Sequence, residues 1–341
     1  MPEVQSAVTK GPPMMKRLSR LALLAAAALA LSACTDSAAP TAAAPSGSGS
    51  ATGEVRQVRV AALPIAETGA LWAAIDAGIF TKHNLDVEVV PAQGGAQAIP
   101  ALLSGDIQFA IGQPFGPFRA DLQNLGIVMI GDYADSNTEG PDVNAVVAPA
   151  GSGITGPADL AGKRVSVNSL GAAGDVTIMK AVQDAGGDPA SIQFVEVAFP
   201  DAPAQLDAGS IDAAWVPDPF MSKVIAAGGT KVVSPYQATI PGLPVLTNIT
   251  TQKTLDQDPQ LVADYSAAME EALTWAADNE PAVRDAIATN LKIPADAAAG
   301  ITLPTFRWQL DTQNLQKLAD TAVEFTVLDK APDFDRLVKQ Q

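Results

Sequence analysis

From Val55 onward, short β-branched apolar runs alternate with stretches of helical spacing, and this alternation restricts the fold more than any other feature of the chain. Val55–Leu63 reads as a buried strand and Gly69–Phe80 as a helix carrying Leu71, Ile75 and Ile79 on one face. Strand Val87–Val90, helix Ala96–Leu103, strand Ile107–Ile111, helix Pro114–Leu125 and strand Ile127–Ile130 follow. Strands separated by helices point to an α/β architecture with mostly parallel sheets flanked by helices. Strand Val143–Val147 runs into Ala148-Pro149-Ala150-Gly151-Ser152-Gly153, read as a passage between lobes. A second alternating unit follows in Val165–Val167, Asp175–Ala185, Phe194–Val197, Ala202–Ala208 and Ile211–Val216. Pro241-Gly242-Leu243-Pro244 then leads into Val245–Ile249 as the return. Asp258-Pro259 places an N-cap before a proline at the first helical position and opens a long helix reaching Asn279. The expectation is a two-lobe chain: residues 55–147 with 246–341 form one lobe, 148–245 form an inserted second lobe, and a hinge lies between them.

The only cysteine, Cys34, excludes disulfides and cysteine-metal sites, so stability must come from a hydrophobic core. Ahead of it, Lys16, Arg17 and Arg20 precede an apolar run from Leu21 to Leu31, which is shorter than the ~20 residues a membrane span needs. This is the pattern of a secretory signal over residues 1–33. Leu31-Ser32-Ala33-Cys34 resembles the lipobox of bacterial lipoproteins, which implies a lipid-modified Cys34 as the first mature residue. Residues 34–54 carry almost no large apolar side chains and are read as a flexible tether. Cleavage before Cys34 removes four basic residues and one acidic residue, a net +3, and takes the charge from −16 to −19. So acidic a chain is a poor partner for nucleic acid, and membrane attachment then rests on the lipid. The single histidine, His83, lacks the partners for a metal centre or a catalytic triad, and reads as an exposed residue at a helix C-terminus.

Several stretches, taken in order, resemble a known family. They are Leu63-Pro64-Ile65-Ala66, Ala74-Ile75-Asp76-Ala77-Gly78-Ile79-Phe80, Leu85-Asp86-Val87-Glu88-Val89-Val90 and Pro100-Ala101-Leu102-Leu103-Ser104-Gly105-Asp106-Ile107. Asp159-Leu160-Ala161-Gly162-Lys163-Arg164-Val165, Gly209-Ser210-Ile211-Asp212-Ala213-Ala214-Trp215 and Asp218-Pro219-Phe220 continue the series. Together, over roughly residues 58–330, they resemble the solute-binding proteins of nitrate, sulfonate and taurine ABC importers, a superfamily shared with pyrimidine-precursor binding proteins. The resemblance implies a two-lobe periplasmic-binding-protein-like fold of type II that closes on one solute and delivers it to membrane permease subunits. It implies no cofactor and no catalytic residue, a monomer, and a place on the extracytoplasmic face of the cell membrane. Enzymes of thiamine-pyrimidine and menaquinone synthesis share the superfamily, but the cysteine-rich iron site and histidine chemistry of the synthases have no counterpart here. A sensor or interaction lipoprotein is the other alternative.

In open α/β sheets ligands sit beyond the carboxyl ends of the strands, so the strand-to-helix loops supply the candidates. In the first lobe these hold Glu67 and Thr68, then Gln93, Gly94 and Gly95, then Gln113. In the second they hold Asn168 and Ser169, then Trp215 and Asp218. Gly94 and Gly95 before a helix allow an anion to meet backbone N–H groups, or simply make a tight turn. Ser169 is compatible with anion donation and with turn chemistry. Trp215 suits either stacking on a flat ligand or the core, and Asp218 either a cationic ligand group or an N-cap. Phe115 and Phe118 read as core packing and Arg119 as a solvated helix residue. The expected solute is a small anionic or zwitterionic organic molecule, sulfonate- or taurine-like or pyrimidine-precursor-like.

Overall fold

The computed structural model describes residues 54–92 and 94–340. The signal, Cys34 and all but the end of the tether lie outside the described residues, as does Gln93. Eleven strands form two sheets among the described residues. They are β1 (Arg56–Ala62), β2 (Leu85–Pro91), β3 (Phe109–Gly112), β4 (Ile127–Asp135), β5 (Asn144–Ala148), β6 (Arg164–Val167), β7 (Gln193–Glu196), β8 (Ala213–Pro217), β9 (Thr230–Val233), β10 (Pro244–Thr251) and β11 (Thr305–Phe306). The first sheet has the order β11-β4-β10-β3-β1-β2 and the second β7-β6-β8-β5-β9.

Burial explains which runs became which strands. Every residue of β4, β5, β8 and β10 is buried, as expected of interior strands covered on both faces. Strand β2, with Asp86 and Glu88 turned to solvent, closes the edge of the first sheet. Both sheets are mixed rather than mostly parallel. β1 pairs in parallel with β2 and β3, and β6 with β7 and β8, whereas β10 lies antiparallel between β3 and β4, and β5 antiparallel between β8 and β9. The reason is directional. Strands β1, β3 and β4 end at the gap between the sheets, and a strand arriving from the other sheet starts there and runs the opposite way.

Two placements differ from the sequence reading. The outward passage precedes β5 rather than following Val147: β5 pairs with β8 and β9, so the chain leaves the first sheet between Asp135 and Asn144. Nor does the C-terminal region stay with the first sheet. Helix Thr312–Glu324 buries Leu315, Leu318, Ala319 and Ala322, and packs against helix Ala173–Asp184 of the second. The chain then returns, with Arg336 Nη2 donating to Asp121 Oδ2 at 2.8 Å and Lys339 N to Met129 O at 2.8 Å. An amphipathic helix needs an apolar partner, and this one finds it on the far side of the hinge.

The helix expected over Gly69–Phe80 is two helices, Gly69–Asp76 and Ile79–Lys82, broken where Gly78 takes φ 71°. The long helix runs Pro259–Asp278, with Asp258 Oδ1 accepting from Leu261 N at 2.9 Å, as its cap signature predicts. Against it lies His83, half-buried, its Nε2 2.8 Å from Glu271 Oε2. Ring contacts place Phe115 and Phe118 in the core beside Phe334.

Candidate functional site

The carboxyl ends of strands from both sheets face one another across a closed gap. In the turn after β1, Ala66 N donates to Asp218 O at 3.2 Å, joining the first sheet's loop to the second's. Arg119 Nη2 reaches Gly171 O at 2.5 Å. That contact corrects the reading of Arg119 as merely solvated: from its helix, Phe115–Leu122, the guanidinium reaches a backbone carbonyl in the loop after β6.

Where the loops of the two sheets meet lies a small cavity of about 20 Å3, roughly the room of a single water in this closed form. One side is formed by Leu63, Glu67, Gln113 and Leu246, the other by Asn144, Phe199, Trp215 and Tyr236. No Lys, Arg or His lines it. A larger groove of about 330 Å3, lined by Trp72, Val87, Val89 and Asn290 among others, belongs to the first lobe alone.

The aromatic side is rigidly set. Trp215 is 2% exposed, and its Nε1 donates to Asn144 Oδ1 at 2.8 Å. Phe199 and Tyr236 meet its ring edge-on, with centroids 5.5 and 5.4 Å away. Gly174, at the start of helix Ala173–Asp184, lets the indole lie close: a Cβ there would come 2.7 Å from Trp215 Cε3. The sequence alternatives for Trp215 merge, since it is both packed in the core and a wall of the cavity.

The polar side is unusual. Glu67 is 4% exposed, and its Oε2 has no hydrogen-bond partner; the Tyr236 hydroxyl, also buried, has none either. Burial pushes the Glu67 carboxyl up to about 8, and the nearby charges of Asp218 and Asp142 act in the same direction against the pull of its own backbone N–H. Tyr236 is raised well above its usual value by burial and then by the charges of Glu67, Asp142 and Asp175. A neutral buried carboxyl is a hydrogen-bond donor as well as an acceptor, and a phenol is both. Two such groups beside an indole wall suit a flat molecule that carries N–H donors next to ring-nitrogen acceptors. They offer nothing to balance an anion.

Of the residues singled out from sequence, Glu67, Gln113 and Trp215 meet at this cavity. The others take neighbouring roles. Thr68 is fully buried, with Oγ1 donating to Leu63 O at 2.6 Å, and so shapes the turn that carries Glu67. Asp218 Oδ1 accepts from Ser222 N at 2.9 Å at the start of helix Phe220–Ala226, as an N-terminal cap does, and burial raises its carboxyl despite Ser222 and the charge of Lys231. Gly94 precedes helix Gly95–Ser104 with an extended φ of 172° and faces Asn168, whose Nδ2 a Cβ would meet at 3.6 Å. Asn168 is 8% exposed and Ser169 half-buried, and neither lines the cavity. The two loops expected to hold an anion are therefore beside the enclosed space rather than in it.

Asn144, Phe199 and Tyr236 were not singled out from sequence. Asn144 is the one polar residue in the run Val143–Val147, next to the outward passage, and Ser234-Pro235 opens the short helix of Tyr236 before the return passage. Both positions carried that signal. Phe199, in Ala198-Phe199-Pro200, carried none.

Comparison with known proteins places this geometry. The chain is 23% identical over 224 residues to the formylaminopyrimidine-binding protein of Halalkalibacterium halodurans, covering 64% of this chain and 66% of that protein's length. The fold matches the alkanesulfonate-binding protein SsuA of Xanthomonas axonopodis pv. citri bound to MOPS, with a TM-score of 0.70 at 18% identity, covering 84% of this chain and 99% of the other. It also matches the desulfurization enzyme DszB, with a TM-score of 0.64 at 17% identity, over 84% and 96% of the two chains. The α/β two-sheet arrangement is thus shared by binding proteins and an enzyme. The family model described as NMT1/THI5 like matches residues 66–282, well over half of the chain, and the chain belongs to the NMT1/THI5-like family.

Proposed function

We propose that the protein captures a small, flat, amino-bearing heterocycle of the aminopyrimidine class in the cavity between its lobes and hands it to the permease of an ABC importer. The observation that carries this reading is the cavity itself: Glu67 Oε2 and the Tyr236 hydroxyl are buried without partners beside Trp215, with no basic side chain among the lining residues. Glu67 accepts from or donates to the amino-pyrimidine edge, Trp215 and Phe199 form an apolar wall for it, and Gln113 and Asn144 supply further amide groups. Thr68, Gly94, Gly95, Asn168, Ser169 and Asp218 shape the surrounding loops. Relatives named for formylaminopyrimidine and for alkanesulfonate lie on either side of this choice, and the absence of an arginine or lysine from the lining favours the first. The proposal thus narrows the expected sulfonate-like or pyrimidine-precursor-like solute to the second kind.

The reading includes export, attachment to the extracytoplasmic face through lipid on Cys34, action as a monomer, and hinge closure between the lobes. None of the described helices is long and apolar enough to cross a membrane. The test is a thermal-shift comparison of formylaminopyrimidine and simple aminopyrimidines with alkanesulfonates, taurine and nitrate. A pyrimidine at 100 times its dissociation constant adds about 2.7 kcal/mol of stability, and the sulfonates leave the melting temperature unmoved. A shift with sulfonates alone would overturn the assignment.

A further inference from the structure

The position of Glu67 has a consequence for how a solute is held, and the inference rests on the reading of the cavity as the solute site. The residue sits in the short turn after β1 whose backbone is tied to the other lobe, Ala66 N to Asp218 O, so its surroundings exist only while the lobes are together. When they separate, water reaches the carboxyl and it ionises as an ordinary glutamate does. When they close, an ionised Glu67 would be a buried charge with an unpaired oxygen, which is costly unless a proton or a cation arrives with it. We propose that closure on a solute is coupled to uptake of one proton, held between Glu67 and the ring nitrogen or amino group of the bound molecule, so that capture strengthens as the surroundings become more acidic.

The groups facing Glu67 agree. Asp218 follows β8 and Asp142 lies in the outward passage, both acidic. Tyr133 on β4, its hydroxyl accepting from Leu71 N at 3.0 Å, and Tyr236 on the short helix Pro235–Thr239 stay neutral under burial. Asp175 adds negative charge from the start of helix Ala173–Asp184, acting on Tyr236. Lys231 on β9 acts on Asp218 instead, and Arg119 is engaged with Gly171 O. Among the described residues no positive group is thus positioned to replace the proton.

The sign follows from linkage. The closed, occupied state binds one more proton than the open protein plus free neutral ligand over the range where Glu67 is ionised when exposed. Affinity therefore falls about tenfold per pH unit from the ordinary glutamate range, once the free ligand is neutral, up to the point where the closed state itself loses the proton. The Asp218 and Asp142 charges, by holding the proton on Glu67, extend that range upward.

The experiment is calorimetric titration of the full chain with 4-aminopyrimidine between pH 6 and 8.5, in pairs of buffers that differ in ionisation enthalpy. Uptake of about one proton, with affinity dropping about tenfold per unit, is expected; Glu67→Gln should bind with a flat pH profile. Binding of the probe by the wild type without proton uptake would overturn the coupling while leaving the solute assignment intact. If the probe does not bind, the solute assignment fails separately and the coupling is decided on the ligand-free protein. The melting temperature of Glu67→Gln relative to wild type should then rise between pH 5 and 8, because the closed wild type must keep a proton on Glu67 that the unfolded chain releases, and the variant has no such proton. A difference constant with pH would overturn the proposal.

Discussion

Tyr236 and Trp215 show how differently two aromatic residues are set at one site. Trp215 was visible in the sequence because a strand signal, Ile211–Val216, carried it to the carboxyl end of β8, where ligands gather in such sheets. Tyr236 was not, because its five-residue helix has too few turns to show periodicity, and its place depends on the chain's return between the lobes. Its hydroxyl is buried without a partner, so Tyr236→Phe is expected to leave the melting temperature unchanged or slightly raised, since an unsatisfied polar group is removed. The same variant should weaken solute binding by about 1 kcal/mol, roughly fivefold, through loss of one hydrogen bond. Unchanged affinity would place the hydroxyl outside the contact. His83 shows the reverse failure: it reads as an exposed residue at a helix C-terminus, yet it is half-buried against a partner, Glu271, 188 residues away, a distance no local pattern reveals. The Glu271 carboxyl is held below its usual range, first by His83 and then by Lys82, as hydrogen bonds from such donors require.

The elements were more legible than their partners. Strands β1, β4, β8 and β10 and the capped helix Pro259–Asp278 follow directly from apolar runs and from Asp258-Pro259. The antiparallel placement of β10 and the membership of β5 do not, because apolar periodicity records burial and not the direction of the neighbouring strand. The amphipathic face of Thr312–Glu324 was likewise readable as a face, while its partner helix Ala173–Asp184 was not. That partner also governs the site. Its second residue, Gly174, lies so close to the Trp215 indole that any side chain must push the ring toward the cavity. Gly174→Ala is therefore predicted to cost about 1–3 kcal/mol of stability and to reduce solute affinity at the same time. A measured loss of stability with affinity intact would show that the indole relaxes away from the solute rather than into it.

In the whole molecule, the chain passes between the lobes after β4 and again before β10, and its C-terminal region spans them once more from Thr312 to Val338. Asn314 Nδ2 donates to Pro241 O and Gly242 O at 3.2 and 3.1 Å, so the third connection is fastened to the second passage. These connections lie apart from the tie between Arg119 and Gly171, which must break when the lobes part. Arg119 is exposed, so Arg119→Ala should alter stability by less than about 0.5 kcal/mol. It should raise the solute dissociation rate by about two- to tenfold, as loss of one hydrogen bond from the closed state implies; an unaltered rate in stopped-flow measurements would show that the tie does not hold the lobes. The central claim is that an aminopyrimidine is held between Glu67 and the Trp215 wall, and a crystal structure of the protein with an aminopyrimidine tests it most directly. The account predicts the ring against the Trp215 wall, with a ring or amino nitrogen about 3 Å from a Glu67 carboxyl oxygen. Density for the ring at the Gly94 and Ser169 loops, with the Glu67 cavity empty, would contradict it.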